Sequence, residues 1–464
     1  MGHAPQQAAE QGLPSIDLYQ GLTDPGPMSN SSGQVGGSGV HMGWGRRWAM
    51  VVAAATVMVS GYSLFGAKEE SKPFQLRGDV DSRGTGFATA LYQTVGVRMV
   101  PGNQLRWANN GAVFDVMAEE LSRARSSMNI VLFIWRPGAA SERLLSVITE
   151  RARAGVACRV LVDPLGSGPF EKEVKPRLEA AGCEAHLFRP LPADENLARN
   201  HRKVIVVDGR VAITGGVAIQ DEWLGQARNE KEWRDTNARV EGPVVAQLQQ
   251  AFAENWQETT GELLPASDFP GLDAPQPGLD EAGEGWAAFV GSTANPELTR
   301  AERLTQLMVR AARERLWIAQ AYFTPNEALT ALLVERARAG VDVRVLAPGS
   351  KNDHTSITVV QRATYDTLRA AGVRIWEYQP SMMHAKTMLV DDRLVLVGSI
   401  NYDALSFNMF EEGSLVLQDG EAARRMEAFF LEDLKHAHEV KARRHAETVG
   451  TVSKNALPFT GTVL

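Results

Sequence analysis

A chain of 464 residues, 44% hydrophobic and 22% charged, can bury large cores and is longer than the usual single domain, so two domains of similar size are the natural division. Its formal net charge of −7 excludes a protein that wraps nucleic acid through a basic field, while a local basic pocket stays compatible with it. Two cysteines, Cys158 and Cys183, exclude a disulfide-scaffolded small protein and a cysteine-rich zinc site; buried free thiols are the ordinary reading, and a single disulfide stays open if the domain is exported.

In chain order, residues 1–45 are rich in Gly, Ser, Gln and Pro and read as a flexible tail. Arg46 and Arg47 then precede an uncharged run, WAMVVAAATVMVSGYSLFGA, from Trp48 to Ala67. At a rise of about 1.5 Å per residue such a run spans a hydrocarbon core as a helix. Residues 46–70 are therefore expected to be a transmembrane anchor, with a cleaved export signal and a buried helix as the alternatives. The two arginines favour a cytoplasmic N-terminus, which puts the folded body on the extracytoplasmic side of a bacterial inner membrane; Lys68 and Lys72 pull the other way. Residues 71–104 read as a linker.

Beyond it the same order of signals is written twice. The first copy, over 105–258, runs through an amphipathic stretch from Val113 to Ala124, then SMNIVLFIW, SERLLSVITERARAGVACRVLVD, AAGCEAHLF and HRKVIVVDGRVAITGG. A connection rich in Pro, Gly and acid, 259–285, separates it from the second copy over 286–440. That copy reads AERLTQLMVRAARERLWIAQAYF, NEALTALLVERARAGVDVRVLAP, AAGVRIWEY and HAKTMLVDDRLVLVGS. Helix-period stretches alternate with short β-branched strands, the pattern of an α/β fold whose sheets are covered by helices. Gly155 and Gly340, each ending an ERARAG phrase, fit helix C-caps. After Glu412 come a strand, GSLVLQD, and a helix-like region from Glu421 to Val440; residues 441–464 read as a frayed tail.

The chemistry lies in two triplets at offsets i, i+2 and i+7: His201, Lys203 and Asp208, and His384, Lys386 and Asp391. If KVIVV and KTMLV are strands, His and Lys share a face at the strand entrance and the Asp falls at the turn before the returning strand. Two such units packed face to face about a pseudo-twofold axis place two histidines on opposite sides of one phosphate. A neutral imidazole can attack phosphorus and a protonated one can assist the leaving alkoxide. The lysines supply charge where phosphoryl oxygens become more negative. The product of attack is a covalent phosphohistidine, resolved by an alcohol or by water.

These elements resemble the phospholipase D superfamily, whose repeated signature is H-x-K-x4-D followed by a glycine-rich return and usually an asparagine. The second copy matches nearly throughout, with Gly398, Ser399 and Asn401; the first has Gly215 and Gly216, but Ala218 at the asparagine position. The resemblance covers about 105–440 and implies two similar α/β/α domains. It implies His201 as nucleophile and His384 as general acid and then base. Lys203, Lys386, Ser399 and Asn401 would hold the phosphate. Asp208 and Asp391 would orient or tune a histidine, that of the opposite half included, with Gly216 and Glu412 at the site rim. Leu405 and Phe410 stand where related lipid enzymes often carry Arg and Asn.

Arg199, Asn200, GGVAIQDEW, EWRDTNARVEGP and YFTP resemble bacterial cardiolipin synthases and related membrane proteins. That implies transfer of a phosphatidyl group between phospholipids, with phosphatidylglycerol as the expected partner, and phospholipid hydrolysis as the nearest rival. A nuclease or a noncatalytic lipid-binding protein lies further off. The expected partners are phospholipids and a membrane, not nucleic acid. No cofactor is called for, and no metal: His436, His438 and His445 lack a ligand spacing and read as a solvated helix face.

Overall fold

The runs VIVV, KTMLV and LVLVG are buried at every position, as strands covered on both faces must be. In the computed structural model, which describes residues 74–75, 78, 80–190, 198–270, 272, 285–295 and 298–441, they lie near the middle of two sheets. The expected anchor at 46–70 falls outside the described residues; among those described, no helix is long and apolar enough to cross a membrane.

The first half supplies β1 (Gln104–Asn109), β2 (Ser127–Leu132), β3 (Ala157–Val162), β4 (Glu184–Leu187), β5 (Arg199–Asn200), β6 (Val204–Val207), β7 (Val211–Gly215) and β8 (Thr236–Glu241). The second supplies β9 (Trp286–Ser292), β10 (Arg315–Gln320), β11 (Asp342–Pro348), β12 (Arg374–Tyr378), β13 (Lys386–Val390), β14 (Leu394–Gly398), β15 (Phe410–Gln418) and β16 (Ala437–Glu439). One sheet has the order β1-β8-β7-β6-β2-β3-β4, and the other carries β9-β15-β14-β13-β10-β11-β12 with β16 added at its end. The two orders are the same, so the repeat in sequence is a repeat in topology. The exception is β5, which leaves the first half to pair with β15 of the second.

Period-two alternation divides the apolar residues among three cores. Val204 and Val206 of β6 join Leu389, Val395 and Val397 of the second sheet in a core shared by the halves, completed by the helices Val245–Thr260 and Gly420–Leu434. Ile205 and Val207 face the first half's own helices. Met388 and Val390 do the same in the second half. Both ERARAG phrases end their helices as the sequence implies: Gly155 and Gly340 stand at φ 91°. The following Val156 and Val341 donate to Arg151 and Arg336 carbonyls, a six-residue closure that a side chain at the glycine would strain.

Several expectations need correction. The stretch 71–104 holds a helix, Thr85–Val95, whose Phe87, Leu91 and Val95 enter the core of the second half; their spacing of four marks an amphipathic face. The terminal helix stops at Leu434, and residues 437–439 turn back as β16 against β12. His438 thus lies on a strand, and His445 lies outside the described residues. Cys158 and Cys183 are a disulfide rather than two thiols. Parallel pairing of β3 with β4 sets Arg159 opposite Glu184, so the two cysteines one step earlier stand abreast, 4.6 Å between Cα atoms.

Cross-linking positions 25 residues apart restricts the unfolded chain. Cys158→Ser should cost about 2–4 kcal/mol in urea unfolding under oxidising conditions, and reductant should bring the unaltered protein to the same midpoint. Coincident curves in oxidising buffer would mean the bond does not form.

Candidate active site

Each motif is a strand with chemistry at its entrance and a staple at its exit. At the exit, Asp208 and Asp391 adopt left-handed φ values of 53° and 52° in the tight turns that start β7 and β14. The Asp208 carboxylate accepts from the backbone N–H groups of Arg125, Ser126 and Ser127 at 3.0, 2.7 and 2.9 Å. Asp391 accepts from those of Arg313, Glu314 and Arg315, and from Ser82 Oγ at 2.7 Å. Both aspartates tie a hairpin to the start of the neighbouring strand. The expectation that they orient a histidine is corrected: they sit at the wrong end of the strand to reach one.

The histidines are oriented by other acids, each from the opposite half. His201 donates its backbone N–H to the Glu411 carbonyl at 2.8 Å, and its Nδ1 lies 2.9 Å from Glu412 Oε1. His384 donates its backbone N–H to the Arg234 carbonyl at 2.7 Å, and its Nδ1 lies 2.9 Å from Asp235 Oδ2. The arrangement is reciprocal in main chain and side chain alike. Glu412, expected at the rim, is fully buried beneath His201 and accepts hydroxyl hydrogen bonds from Ser399 and Ser406. Asp235 accepts from the Trp223 indole N–H and the Thr236 backbone N–H, both at 2.8 Å. Gly216 lies behind it, where a Cβ would come within 2.5 Å of Asp235 Oδ1.

Aromatic rings hold the imidazoles in place. Phe133 and Phe410 flank His201 with centroids at 4.8 and 5.3 Å. Trp223 and Trp233 flank His384 at 4.8 and 5.3 Å. Phe410 thus occupies with an apolar face the position where the resemblance implies an asparagine. Lys203 Nζ donates to the His201 carbonyl at 2.7 Å, and Lys386 Nζ to that of His384 at 2.6 Å. An ammonium has three donors, so Lys203 retains donors for a ligand, whereas Lys386 Nζ also lies 2.9 Å from Nε2 and 3.0 Å from Nδ1 of His384. Ser399 spends its hydroxyl on Glu412 and receives the Gly413 N–H, which corrects its expected phosphate role to support of that acid. Asn401 is buried, with its side-chain oxygen unpaired among the described residues.

Burial sets the electrostatics. His201, Lys203, His384 and Lys386 are each 6% exposed or less, and a dry site disfavours charge. It pushes Lys203 down to about 7, opposed by Glu412 and Asp235 and reinforced by Lys386, and Lys386 down to about 8, opposed by Asp235 and Glu412. Burial and then Lys386 bring His384 down to about 4. Burial, Lys203 and Lys386 hold His201 well below its ordinary value. Burial raises Glu412 to about 8 against the pull of Lys203. Burial also acts to raise Asp235, but its bond to His384 and the nearby positive charge outweigh it, so this acid is lowered. Burial and the lysines therefore favour neutral imidazoles, a shift that the negative charge of a phosphodiester beside the lysines would oppose. Among the described residues no group of His, Cys, Asp and Glu is arranged to hold a metal.

Asp235 and its partner Trp223 escape a motif search because no H-x-K-x4-D element contains them. Aligning the halves by strand order finds the acid: Arg234 and Asp235 before β8 stand where Glu411 and Glu412 open β15.

The family described as cardiolipin synthase, PLD-like domain, matches residues 117–256 and 305–434. A cardiolipin synthase of Geobacillus kaustophilus (strain HTA426) is 33% identical over 333 residues, 71% of this chain and 65% of that protein. The cardiolipin synthase A of Pseudomonas putida (strain F1) is 34% identical over 352 residues, 75% of this chain and 71% of its own. The match thus spans about two thirds of these relatives, and slightly less for the first. The phosphatidylserine synthase structure of Haemophilus influenzae Rd KW20 superposes with a TM-score of 0.57 at 13% identity, covering 76% of this chain and 92% of that one, a likeness of fold. The chain belongs to the PLD-like family.

A carboxyl raised from 4.5 in the unfolded chain to about 8 in the folded one keeps its proton when folded and loses it when unfolded across that interval, so it weakens stability as pH rises. Glu412→Gln removes this dependence. Urea unfolding should show the variant gaining on the unaltered chain between pH 5 and 8, by about 1 kcal/mol or more. A constant difference across that range would contradict a protonated Glu412.

Proposed function

We propose that this chain is a phosphatidyltransferase of the cardiolipin synthase type, working through a phosphohistidine intermediate on two domains, about 105–258 and 286–440, related by a pseudo-twofold axis. The observation that carries the reading is the reciprocal site: two buried imidazoles, each fixed by a carboxylate of the other half, beside two desolvated lysines. The relatives are named cardiolipin synthases, and phosphatidylglycerol as both donor and acceptor is the pairing whose phosphatidyl transfer yields cardiolipin and glycerol.

In this reaction the phosphodiester of one phospholipid binds between Lys203 and Lys386, which stabilise its developing negative charge. His201 Nε2 attacks phosphorus while its Nδ1 is held at Glu412. The bond from phosphorus to the headgroup oxygen breaks, and the departing oxygen takes a proton from His384, whose positive form Asp235 stabilises. The hydroxyl of a second phosphatidylglycerol then gives its proton to His384 and attacks phosphorus, and the phosphorus–nitrogen bond to His201 breaks. One donor and one acceptor become cardiolipin and free glycerol. Water at the second step makes phosphatidic acid instead, so product identity separates transfer from hydrolysis.

An anchor at 46–70 would keep the site beside its lipid substrates. The Cys158–Cys183 disulfide supports an extracytoplasmic body, because such bonds persist in oxidising compartments.

With labelled phosphatidylglycerol in vesicles the full chain should release glycerol and form cardiolipin. His201→Ala should abolish both the product and acid-labile covalent capture of the phosphatidyl group. His384→Ala should slow turnover by about 10²–10⁴-fold while capture persists. Phosphatidic acid alone would replace transfer with hydrolysis, and undiminished capture by His201→Ala would reverse the two histidine roles.

A further inference from the structure

The two walls of the pocket differ although their strands repeat. On the His384 side, Tyr322 follows β10, its ring 6.4 Å from that of His384 and 5.8 Å from Lys386 Nζ. Its hydroxyl donates to Asp353 Oδ2 at 2.8 Å. Asp353 lies in the loop after β11 with a partly exposed side chain beside His354, and its charge reaches both His384 and Lys386. Asp403, which caps the next short helix by accepting from Ser406 N–H at 2.8 Å, acts on Lys386 and Tyr322 too.

The His201 side is built differently. The bridges Trp135–Ile219 and Phe323–Tyr402 align Ile134 with Tyr322 and Gln220 with Asp403. There the loop after β3 opens with Asp163, a buried acid that acts on Lys203 but whose carboxylate accepts the backbone N–H groups of Leu165 and Asn200 at 2.8 Å each; the rest of that loop, PLGSGP, has no acid to match Asp353. Phe133, Ile134 and Phe410 make that wall apolar. The acid on the His201 side is thus taken up by backbone N–H groups beneath aromatic and aliphatic side chains, while on the His384 side Tyr322 and Asp353 pair with each other and keep acceptor capacity.

We infer that Tyr322 and Asp353 determine which alcohol resolves the intermediate, by accepting a hydrogen bond from a second hydroxyl of a polyol whose reacting hydroxyl faces His384. The inference rests on the proposed transfer and adds the selection of its acceptor. A phenol oxygen that donates to Asp353 still accepts, and so does the other carboxylate oxygen. A glycerol headgroup has the extra hydroxyl to give; water and ethanol have none. A cationic headgroup fits less well, since Lys386 and the protonated His384 repel it. In the resolving step the phosphorus–nitrogen bond to His201 breaks as the acceptor oxygen bonds phosphorus. The acceptor proton passes to His384, and Tyr322 and Asp353 exchange none. They are positioning residues.

The test is partitioning, which reads only folded, active molecules. Full-length chain in phosphatidylglycerol vesicles is given ethanol as a competing monohydric alcohol, and cardiolipin, phosphatidylethanol and phosphatidic acid are counted. Loss of a single hydrogen bond should lower the cardiolipin to phosphatidic acid ratio about fivefold in Tyr322→Phe and in Asp353→Asn, while phosphatidylethanol to phosphatidic acid holds. Unchanged ratios in both variants overturn the inference. So does a parallel fall in phosphatidylethanol, which would mean that the pair excludes water rather than recognises a polyol. An unaltered chain that forms none of the three products overturns the transfer reading itself, and this inference with it.

Discussion

Each histidine of this chain rests on a carboxylate that the other half provides, and most of the architecture serves that exchange. The bond from Glu412 to His201 and the bond from Asp235 to His384 cross the seam in opposite directions, so neither half owns a complete site. Main-chain contacts fix the crossing: His201 and His384 both donate N–H groups over it, and β5 leaves its own half to pair with β15. Buried acids and bases lose several kcal/mol of hydration, which is tolerable only where partners are held in place. The shared core beneath, built from alternate residues of both sheets, supplies the rigidity. A repeat joined in one chain keeps the two surfaces at high effective concentration.

The same constraint explains how one short motif carries two jobs. Seven residues of extended chain put about 20 Å between its first and last members. The histidine and lysine sit at the seam, and the aspartate sits at the far turn, gathering three consecutive backbone N–H groups from the neighbouring strand. A carboxylate is suited to that task because it accepts several bonds at once, and aspartate tolerates the left-handed φ of such turns better than most residues. The motif thus joins a His–Lys entrance at the seam to a folding staple, which is why its spacing repeats so strictly.

Much of this is legible in the sequence, and what is not fails for physical reasons. Alternation of β-branched strands with helix-period stretches gives the fold class, and the paired triplets give the histidines and lysines. Local pattern does not give Asp235, since an acid next to a buried arginine looks like an ordinary ion pair until Met382 and His384 are seen to pair with its neighbour. It misleads on Asp208 and Asp391, because adjacency in a motif suggests adjacency in space while a strand separates its ends. The Cys158–Cys183 bond depends on the register of β3 with β4, a non-local fact. The helix Thr85–Val95 was hidden in an apparent linker because its buried face meets the second half, far along the chain.

The halves are alike in topology and unlike in charge, and that difference bears on how the proposed reaction divides its labour. Glu412 is buried among hydroxyl groups and is raised to about 8, while Asp235, bonded to an indole and to His384, is lowered. Burial thus weakens the negative charge beside His201, while the charge beside His384 is favoured. Burial and Lys386 overrule that advantage and bring His384 down to about 4. A phosphodiester between the lysines changes the balance, because its negative charge offsets the repulsion from Lys386 and leaves Asp235 to favour the imidazolium. His201, whose partner Glu412 is raised by burial, gains less. In the proposed reaction, substrate binding would thus favour charge on His384 over charge on His201, and the asymmetry of the two carboxyls is consistent with the opposite roles proposed for two chemically identical side chains.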